Sequence, residues 1–377
     1  MQLTFTTILV ILAAFSVFIV LISQILQRQQ SPHSQKLFAA FLMAILASQF
    51  NFILMSSNFV LSVPNLAFIG NTVGLLAAPL LYFYAKSLVS NALPITNKDW
   101  PHAIAFVMIF SMVIFGYHMK PESTKLLILT DPEYISPLMS YSLPLFIFTT
   151  VFCYLFATIL MVRQFRLSLL ERYSKIEDID LSWLSISIYS LLMLWVLDVV
   201  RFLVIGLWPK SLLHSILFVF LAVGTFIVAV YFLLHALRQN QIQNSELETL
   251  VETEKYGQHR LEDHELHVLK KHVEAIFNAV HPEKKADLTL NALAEQLPMT
   301  ARELSQVINR SFGKSFFDFI NQKRVEYAME HLHVKDEETI ADIMFDAGFA
   351  SKSAFYKAFK KHTGTTPQKF RSLTPDR

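Results

Sequence analysis

The sequence predicts an all-α protein in three parts: a seven-helix transmembrane bundle over residues 1–237, a polar helical linker over 238–285, and a C-terminal all-helical domain with two helix-turn-helix units over 286–377. Three observations predict it. Long uncharged apolar runs fill the chain from Leu3 to Leu237, charged residues become dense from Arg238 onward, and the C-terminal stretch repeats its own apolar pattern.

Of 377 residues, 53% are apolar and 16% charged, a balance too apolar for two or three soluble domains. A large part of the chain therefore belongs in lipid. The formal net charge of +2 gives by itself no argument for a polyanionic partner, so any such argument rests on local patches. The single cysteine, Cys153, lies inside an apolar run and excludes an intrachain disulfide or a cysteine-based zinc site. The first apolar run has no Lys or Arg ahead of it and no small-residue cleavage pattern behind it, which predicts an uncleaved first span.

A membrane helix needs about 20 mostly apolar residues, and seven segments qualify: 3–26, 36–57, 66–89, 101–118, 138–162, 184–207 and 211–236. Seven spans put the two ends on opposite sides. With the carboxyl end inside, the inner segments hold Arg28, Lys36, Lys86, Lys98, Arg163, Arg166, Arg172, Lys175 and Arg238, against Lys120, Lys125 and Lys210 outside. This excess of inner positive charge predicts an amino end outside the cell. One helix would serve as an anchor, so seven point to a receptor, a transporter or a membrane enzyme.

Ionisable groups inside a membrane are costly and therefore informative. The sixth span carries Asp198 and Arg201 three residues apart, on one helical face where they neutralise each other. Counted back from Trp208 at the helical rise, Arg201 lies roughly 10 Å below the outer edge, within reach of it by snorkelling. The pair reads as a structural ion pair or as an intramembrane signal site, with Gln49, Asn51, Asn71 and His214 as further polar groups around an outward-facing pocket or as interhelical glue. The chain shows no metal-spaced His/Glu set, no glycine-rich phosphate loop and no nucleophile elbow. No catalytic residue, metal site or cofactor is expected.

From Leu237 to Lys285 the composition turns to Gln, Glu, Lys and His with scattered Leu, the pattern of a long polar helix leaving the membrane. Leu247 and Leu261 share a heptad position, but Glu254 interrupts them, which predicts a weak, switchable homodimer contact rather than a continuous coiled coil. His259, His264, His267, His272 and His281 concentrate here without a clear metal-binding spacing, and read as a solvated face.

The C-terminal stretch is an internal repeat. Leu290, Leu293, Ala294 and Leu297 form a helical stripe that returns as Ile340, Ile343, Met344 and Ala347. Leu304, Val307 and Ile308 return as Phe355, Ala358 and Phe359, while Gly313 and Phe319 return as Gly364 and Phe370. Each half is thus helix, short turn, helix, broken at Pro298-Met299 in the first and at Ala347-Gly348-Phe349 in the second. Thr300 with Glu303 makes a capping box, Thr339 with Asp342 a second, and Ser351 caps the last long helix. With the stripes inward, Arg302, Ser305, Gln306, Asn309 and Arg310 face outward in one second helix, and Lys352, Ser353, Tyr356, Lys357, Lys360 and Lys361 in the other. From Ala350 to Arg371 there are six Lys or Arg and no acid. A basic face that coincides with both second helices suits base edges and phosphates of double-stranded DNA.

Residues 286–373 resemble the AraC/XylS family of bacterial transcription regulators. "LTLNALAEQLPMTARELSQVINRSFGKSFFDFINQKRVEYAMEHL" is similar to the family's first unit and linker helix, and "TIADIMFDAGFASKSAFYKAFKKHTGTTPQKFR" to its second unit with the closing signature. The resemblance implies two recognition helices in successive major grooves. It places base contacts on Arg302, Ser305 and Gln306 and on Lys352, Ser353, Ala354 and Lys357. Helical geometry turns Lys360 and Lys361 toward the DNA backbone, and with Asn309 and Arg310 they are the phosphate candidates. Many members carry a soluble sugar-binding barrel where this chain has apolar spans, so sugar sensing is not implied. The layout is similar to membrane-bound members, whose "EKY" segment stands here as Glu254-Lys255-Tyr256.

The expected protein is therefore a multi-pass regulator of the bacterial inner membrane, not an enzyme, with DNA, the lipid bilayer and an unknown small ligand as partners. It senses a membrane or extracellular signal and passes it to the cytoplasmic DNA-reading domain. A transporter or membrane enzyme with an appended regulatory domain is the alternative, distinguished by flux or turnover. A fluorescent-protein fusion after Arg377 is expected to be bright and an alkaline phosphatase fusion there inactive; phosphatase activity would put the DNA-reading domain on the wrong side of the membrane.

Overall fold

A computed structural model describes residues 4–26, 32–89, 95–131, 134, 137–177, 179–208, 212–238, 260–334 and 338–372. Among these residues the chain is all-α, with an isolated antiparallel bridge between Tyr173 and Thr289 and no strand. It divides into two compact units: Met1–Arg163 with Leu181–Glu254, and Gln164–Asp180 with Lys255–Arg377.

In the first unit, α1 (Phe5–Leu26), α2 (Pro32–Ser56), α3 (Ile69–Gly74), α4 (Ala77–Val89), α5 (Pro101–Val113), α6 (Glu122–Thr130), α7 (Pro137–Leu170, whose last turns belong to the second unit), α8 (Ser182–Leu207) and α9 (Leu212–Arg238) follow one another. Among the described residues, seven helical stretches are long and apolar enough to cross a membrane, one for each expected span. Helices suit such sequence because every interior backbone group is satisfied within the element. Helix α1 packs on α2 and α9, α2 on α3 and α4, and α8 on α9. Val17, Phe38, Phe41, Leu81, Leu184, Ile188 and Phe232 share one core, while Phe15, Phe50, Met193 and Phe220 stand exposed on the outside, as residues facing lipid do.

Three features of this unit differ from the simple spans the sequence predicts. The third is not one helix: a 3-10 turn at Pro64–Leu66 leads into α3, and α4 restarts two residues after it. The fourth ends in a π-helical turn at Ile114–His118. Helix α6 folds back from the loop that follows, burying Lys125, whose Nζ donates to Asn65 Oδ1 (2.8 Å) and lies 6.0 Å from the centre of the Tyr117 ring.

The second unit begins at the inner end of α7 and resumes with α10 (Asp263–Ala279), α11 (Leu290–Ala294), α12 (Ala301–Phe312), α13 (Phe316–Val334), α14 (Ile340–Asp346), α15 (Lys352–Thr363) and α16 (Pro367–Ser372). The sequence places α10 in a linker, yet its stripe of Leu266, Val273 and Phe277 is buried with Leu293, Leu304 and Phe319 in a single core. His264, His267 and His272 stay on its exposed face. Leu247, Glu254, His259 and the Glu254-Lys255-Tyr256 segment lie outside the described residues.

The repeat forms two units, α11–α12 and α14–α15, bridged by α13. Leu304, Val307 and Ile308 are buried in the first, and Phe355, Ala358 and Phe359 in the second. Both capping boxes form, and Ser351 Oγ accepts from the Ala354 N–H (3.3 Å). Gly313 and Gly348 are left-handed, with φ of 65° and 86°. A Cβ on Gly313 would meet nothing within 4 Å, but one on Gly348 would sit 2.4 Å from the Glu283 carbonyl oxygen. Left-handed strain costs roughly 1–2 kcal/mol for a non-glycine residue. Gly313→Ala is therefore expected to lower hydrogen-exchange protection of the neighbouring helix by about 5–30-fold. Gly348→Ala, which adds a backbone clash, is expected to lower it across α14 and α15 by more than about 30-fold in the intact protein. Equal losses at the two glycines would remove the clash from the explanation.

Candidate nucleic-acid interface

The two second helices carry the residues that the sequence assigns to DNA, and the structure sorts them by what their side chains already touch. On α12, Arg302 and Asn309 are exposed. Ser305 is half-buried, and its Oγ accepts a long bond from Asn309 Nδ2 (3.4 Å). Asn309 Nδ2 also donates to Glu171 Oε2 (3.0 Å). Gln306 and Arg310 are committed elsewhere. Gln306 Oε1 accepts from the Leu261 N–H (3.1 Å), and Arg310 donates to the Leu261 carbonyl (2.6 Å) and to Asp263 Oδ1 (2.9 Å). Together they satisfy the backbone just ahead of α10, a role invisible from helical geometry alone.

On α15, Lys352, Ser353, Lys357, Lys360 and Lys361 are all exposed. Lys352 Nζ lies 5.5 Å from the centre of the Tyr356 ring, and the Ser353 and Ser351 hydroxyls are 3.3 Å apart. Ala354 is half-buried, with its N–H taken by the Ser351 cap. Lys361 Nζ donates to Asp318 Oδ1 on α13. The His362 imidazole, half-buried beside Lys361 and Lys314, is held below its ordinary pKa, first by burial and then by these cations. The outer face of α15 is thus cationic without help from the histidine.

Behind both helices lies a residue the sequence did not single out. Arg324 of α13 is 2% exposed. Its Nε donates to the Glu283 carbonyl (2.9 Å), Nη2 to Ser174 Oγ (3.0 Å) and to the carbonyls of Lys285 (2.8 Å) and Ala286 (3.1 Å), and Nη1 to the Ser174 carbonyl (3.3 Å) and Asn321 Oδ1 (3.4 Å). Burial pulls its pKa down to about 10, opposed by Glu177, Glu283 and Asp287, so it stays charged at neutral pH. The available clue was its place on the stripe of Ile320 and Ala328, where a charge demands partners.

In the first unit, Arg201 Nε donates to Asp198 Oδ1 (2.8 Å), and the guanidinium lies 5.9 Å from the centre of the Phe218 ring. The His214 and Phe52 rings approach the same phenylalanine, at 6.4 and 5.5 Å between centres. Gln49 and Asn51 are buried on α2, and among the described residues neither Gln49 Oε1 nor Asn51 Oδ1 has a hydrogen-bond partner. Asn71 is exposed on α3. Among the described residues no group of His, Cys, Asp or Glu has the geometry of a metal site.

Residues 293–372 match the family model described as a helix-turn-helix domain. Over 89 residues the chain is 37% identical to an uncharacterised helix-turn-helix-type transcriptional regulator of Staphylococcus aureus strain COL, covering 24% of this chain and 12% of the relative. Over 90 residues it is 32% identical to the melibiose operon regulatory protein of Escherichia coli strain K12, covering 24% of this chain and 30% of that one. A solved structure of a protein of unknown function from Listeria innocua is 28% identical over 28% of this chain and 96% of its own, with a TM-score of 0.25. The chain thus spans about an eighth of the length of the first curated relatives it matches. The resemblance to AraC-type regulators drawn from the repeat is borne out over the helix-turn-helix domain, residues 293–372.

If α8 spans a membrane, either member of the Asp198–Arg201 pair left alone there would cost about 2.5–3.5 kcal/mol on insertion scales. Asp198→Asn and Arg201→Gln are each expected to lower the yield of folded protein in membranes, and the double variant to recover much of it. Additive losses in this cycle would show the two side chains to be energetically independent.

Proposed function

We propose that the chain is a membrane-bound, sequence-specific DNA-binding transcription regulator, a one-component receptor in which a membrane or extracellular signal changes the availability of α12 and α15 to DNA. The observation that carries this reading is a pair of helix-turn-helix units with a basic outer face, on the same chain as seven helices apolar enough to cross a membrane. Base reading falls to Arg302 and Ser305 on α12 and to Lys352, Ser353, Ala354 and Lys357 on α15. Gln306 joins them only by releasing the Leu261 N–H. Lys360 holds phosphates, as do Lys361 once it leaves Asp318, Asn309 once it leaves Glu171, and Arg310 once it leaves Leu261 and Asp263.

The membrane half is the sensor, the Asp198–Arg201 pair with His214 and Phe218 is its signal site, and the ligand is a small molecule. The amino end lies outside and the DNA-reading domain in the cytoplasm, following the loop charges. Two copies paired through the linker would present two DNA-reading domains to one operator, and ligand binding acts by shifting populations rather than by creating a new state.

The decisive experiment uses the full chain in nanodiscs with an operator fragment recovered from DNA bound in cells and a random fragment for comparison. A base contact contributes about 1–3 kcal/mol of discrimination, whereas loss of a phosphate contact weakens binding to every sequence and lowers the salt slope by about one unit. Arg302→Ala and Lys357→Ala are expected to lose operator preference. Lys360→Ala is expected to keep the preference ratio while binding both DNAs more weakly. An unchanged ratio in the first two variants would overturn the base-reading assignments, and no preference in the unaltered chain would overturn the function.

A further inference from the structure

The segment between the fifth and sixth predicted spans, Gln164–Asp180, belongs to the same compact unit as the helix-turn-helix pair. It is attached by directional bonds. The Arg172 carbonyl accepts from the Leu290 N–H (2.9 Å), and the Ser174 N–H and Oγ both donate to the Leu288 carbonyl (3.2 and 2.7 Å), which pairs Tyr173 with Thr289 as a short antiparallel bridge. The Arg324 guanidinium closes over Ser174 from the other side. Ser174, 2% exposed, is therefore buried with its polar atoms matched.

From this seat the segment reaches toward both second helices. Glu171 takes the Asn309 amide of α12 (3.0 Å). On the other side, Ile176, Glu177 and Asp180 line a cavity of about 280 Å³ together with Ala354, Lys357 and Lys361 of α15. One carboxylate, Glu171, thus holds an amide, and two more share a cavity with two lysines, that the proposed function gives to DNA.

We propose that Gln164–Asp180 is an occupant, supplied by the chain itself, of the face through which the two helix-turn-helix units bind DNA, so that DNA and the segment compete for it. This inference rests on the reading of α12 and α15 as DNA-contacting helices. An acidic side chain bonded to Asn309 fills a position where a phosphate oxygen would be received, and a segment lining one cavity with Ala354 and Lys357 obstructs a base pair approaching those residues. The DNA-reading unit in this structure is the closed form.

The bridge offers a lock that leaves every proposed DNA contact unaltered. Tyr173 and Thr289 form the pair lying between two ladder bonds, a type whose Cα atoms are about 4.5 Å apart, within disulfide range. Tyr173→Cys with Thr289→Cys would be made in full-length protein carrying Cys153→Ser, so that the two new thiols are the only ones, and studied in nanodiscs with the recovered operator fragment. Oxidation is expected to form the cross-link and weaken operator binding at least about tenfold relative to the same protein reduced, with dithiothreitol restoring it. In a second protein, Ser174→Pro removes both donors of the segment and is expected to tighten binding about tenfold, the factor that corresponds to an open form holding about a tenth of the population. Equal binding by the oxidised and reduced proteins would overturn the inference, as would a thiol pair that fails to cross-link. If the reduced protein and the unaltered chain both lack operator preference, the proposed function itself fails and the inference with it.

Discussion

The second unit depends on one buried cation. A guanidinium carries five N–H donors, and removing it from water costs several kcal/mol unless those donors are met. Arg324 meets its requirement with the carbonyls of Ser174, Glu283, Lys285 and Ala286, the Ser174 hydroxyl and the Asn321 amide oxygen. Those acceptors belong to three separate stretches of chain, so one side chain on α13 ties the segment before α8 and the corner before α11 to the linker helix. Gly348 completes the arrangement, because any Cβ there would strike the Glu283 carbonyl that Arg324 holds. Lysine, a point charge with three donors, cannot reproduce this fork.

The helix-turn-helix pair was legible in the sequence because what specifies it is local. Leu304, Val307 and Ile308 lie within one turn of one another, and so do Phe355, Ala358 and Phe359; all six are buried. The caps at Thr300, Thr339 and Ser351 act across three residues, and the helical period fixes which face remains outside. The apolar spans were legible for a similar reason, since length and composition alone decide whether a helix can cross hydrocarbon.

What the sequence concealed depends on partners far away in the chain. Ser174 and Leu288 are separated by 114 positions, and nothing near either announces the bond between them. Gln306 and Arg310 sit on the outward arc of α12 as predicted, yet both turn to Leu261, because a backbone N–H and carbonyl ahead of α10 otherwise lack partners. Lys125 counts as a loop charge in the sequence but is folded inward by α6 onto Asn65. Only Arg324 left a trace, as a charge interrupting the buried face of its helix.

The strength of the segment's attachment suits a competition with DNA. Three neutral hydrogen bonds join Arg172 and Ser174 to Leu288 and Leu290, and two charge-assisted ones join Ser174 to Arg324, contributing about 0.5–1.5 and about 1.5–3 kcal/mol net each. Their sum of roughly 5–10 kcal/mol is offset by ordering the segment, which costs about 1–2 kcal/mol per residue. Coupling between sites in allosteric proteins is commonly about 1–3 kcal/mol, so a signal of that size can change which occupant holds the face. An attachment much stronger would keep DNA out whatever the ligand did, and one much weaker would leave the face open without a signal. The position of the segment in the chain supplies the route for such a signal. Helix α7 runs unbroken through a predicted span to Leu170, and α8, which carries Asp198 and Arg201, begins at Ser182. A movement of either helix passed on to residues 171–177 would strain the Ser174 bonds to Leu288 and Arg324, which fail beyond a few tenths of an ångström. Bonds this intolerant of displacement convert a small movement of a span into a discrete loss of attachment.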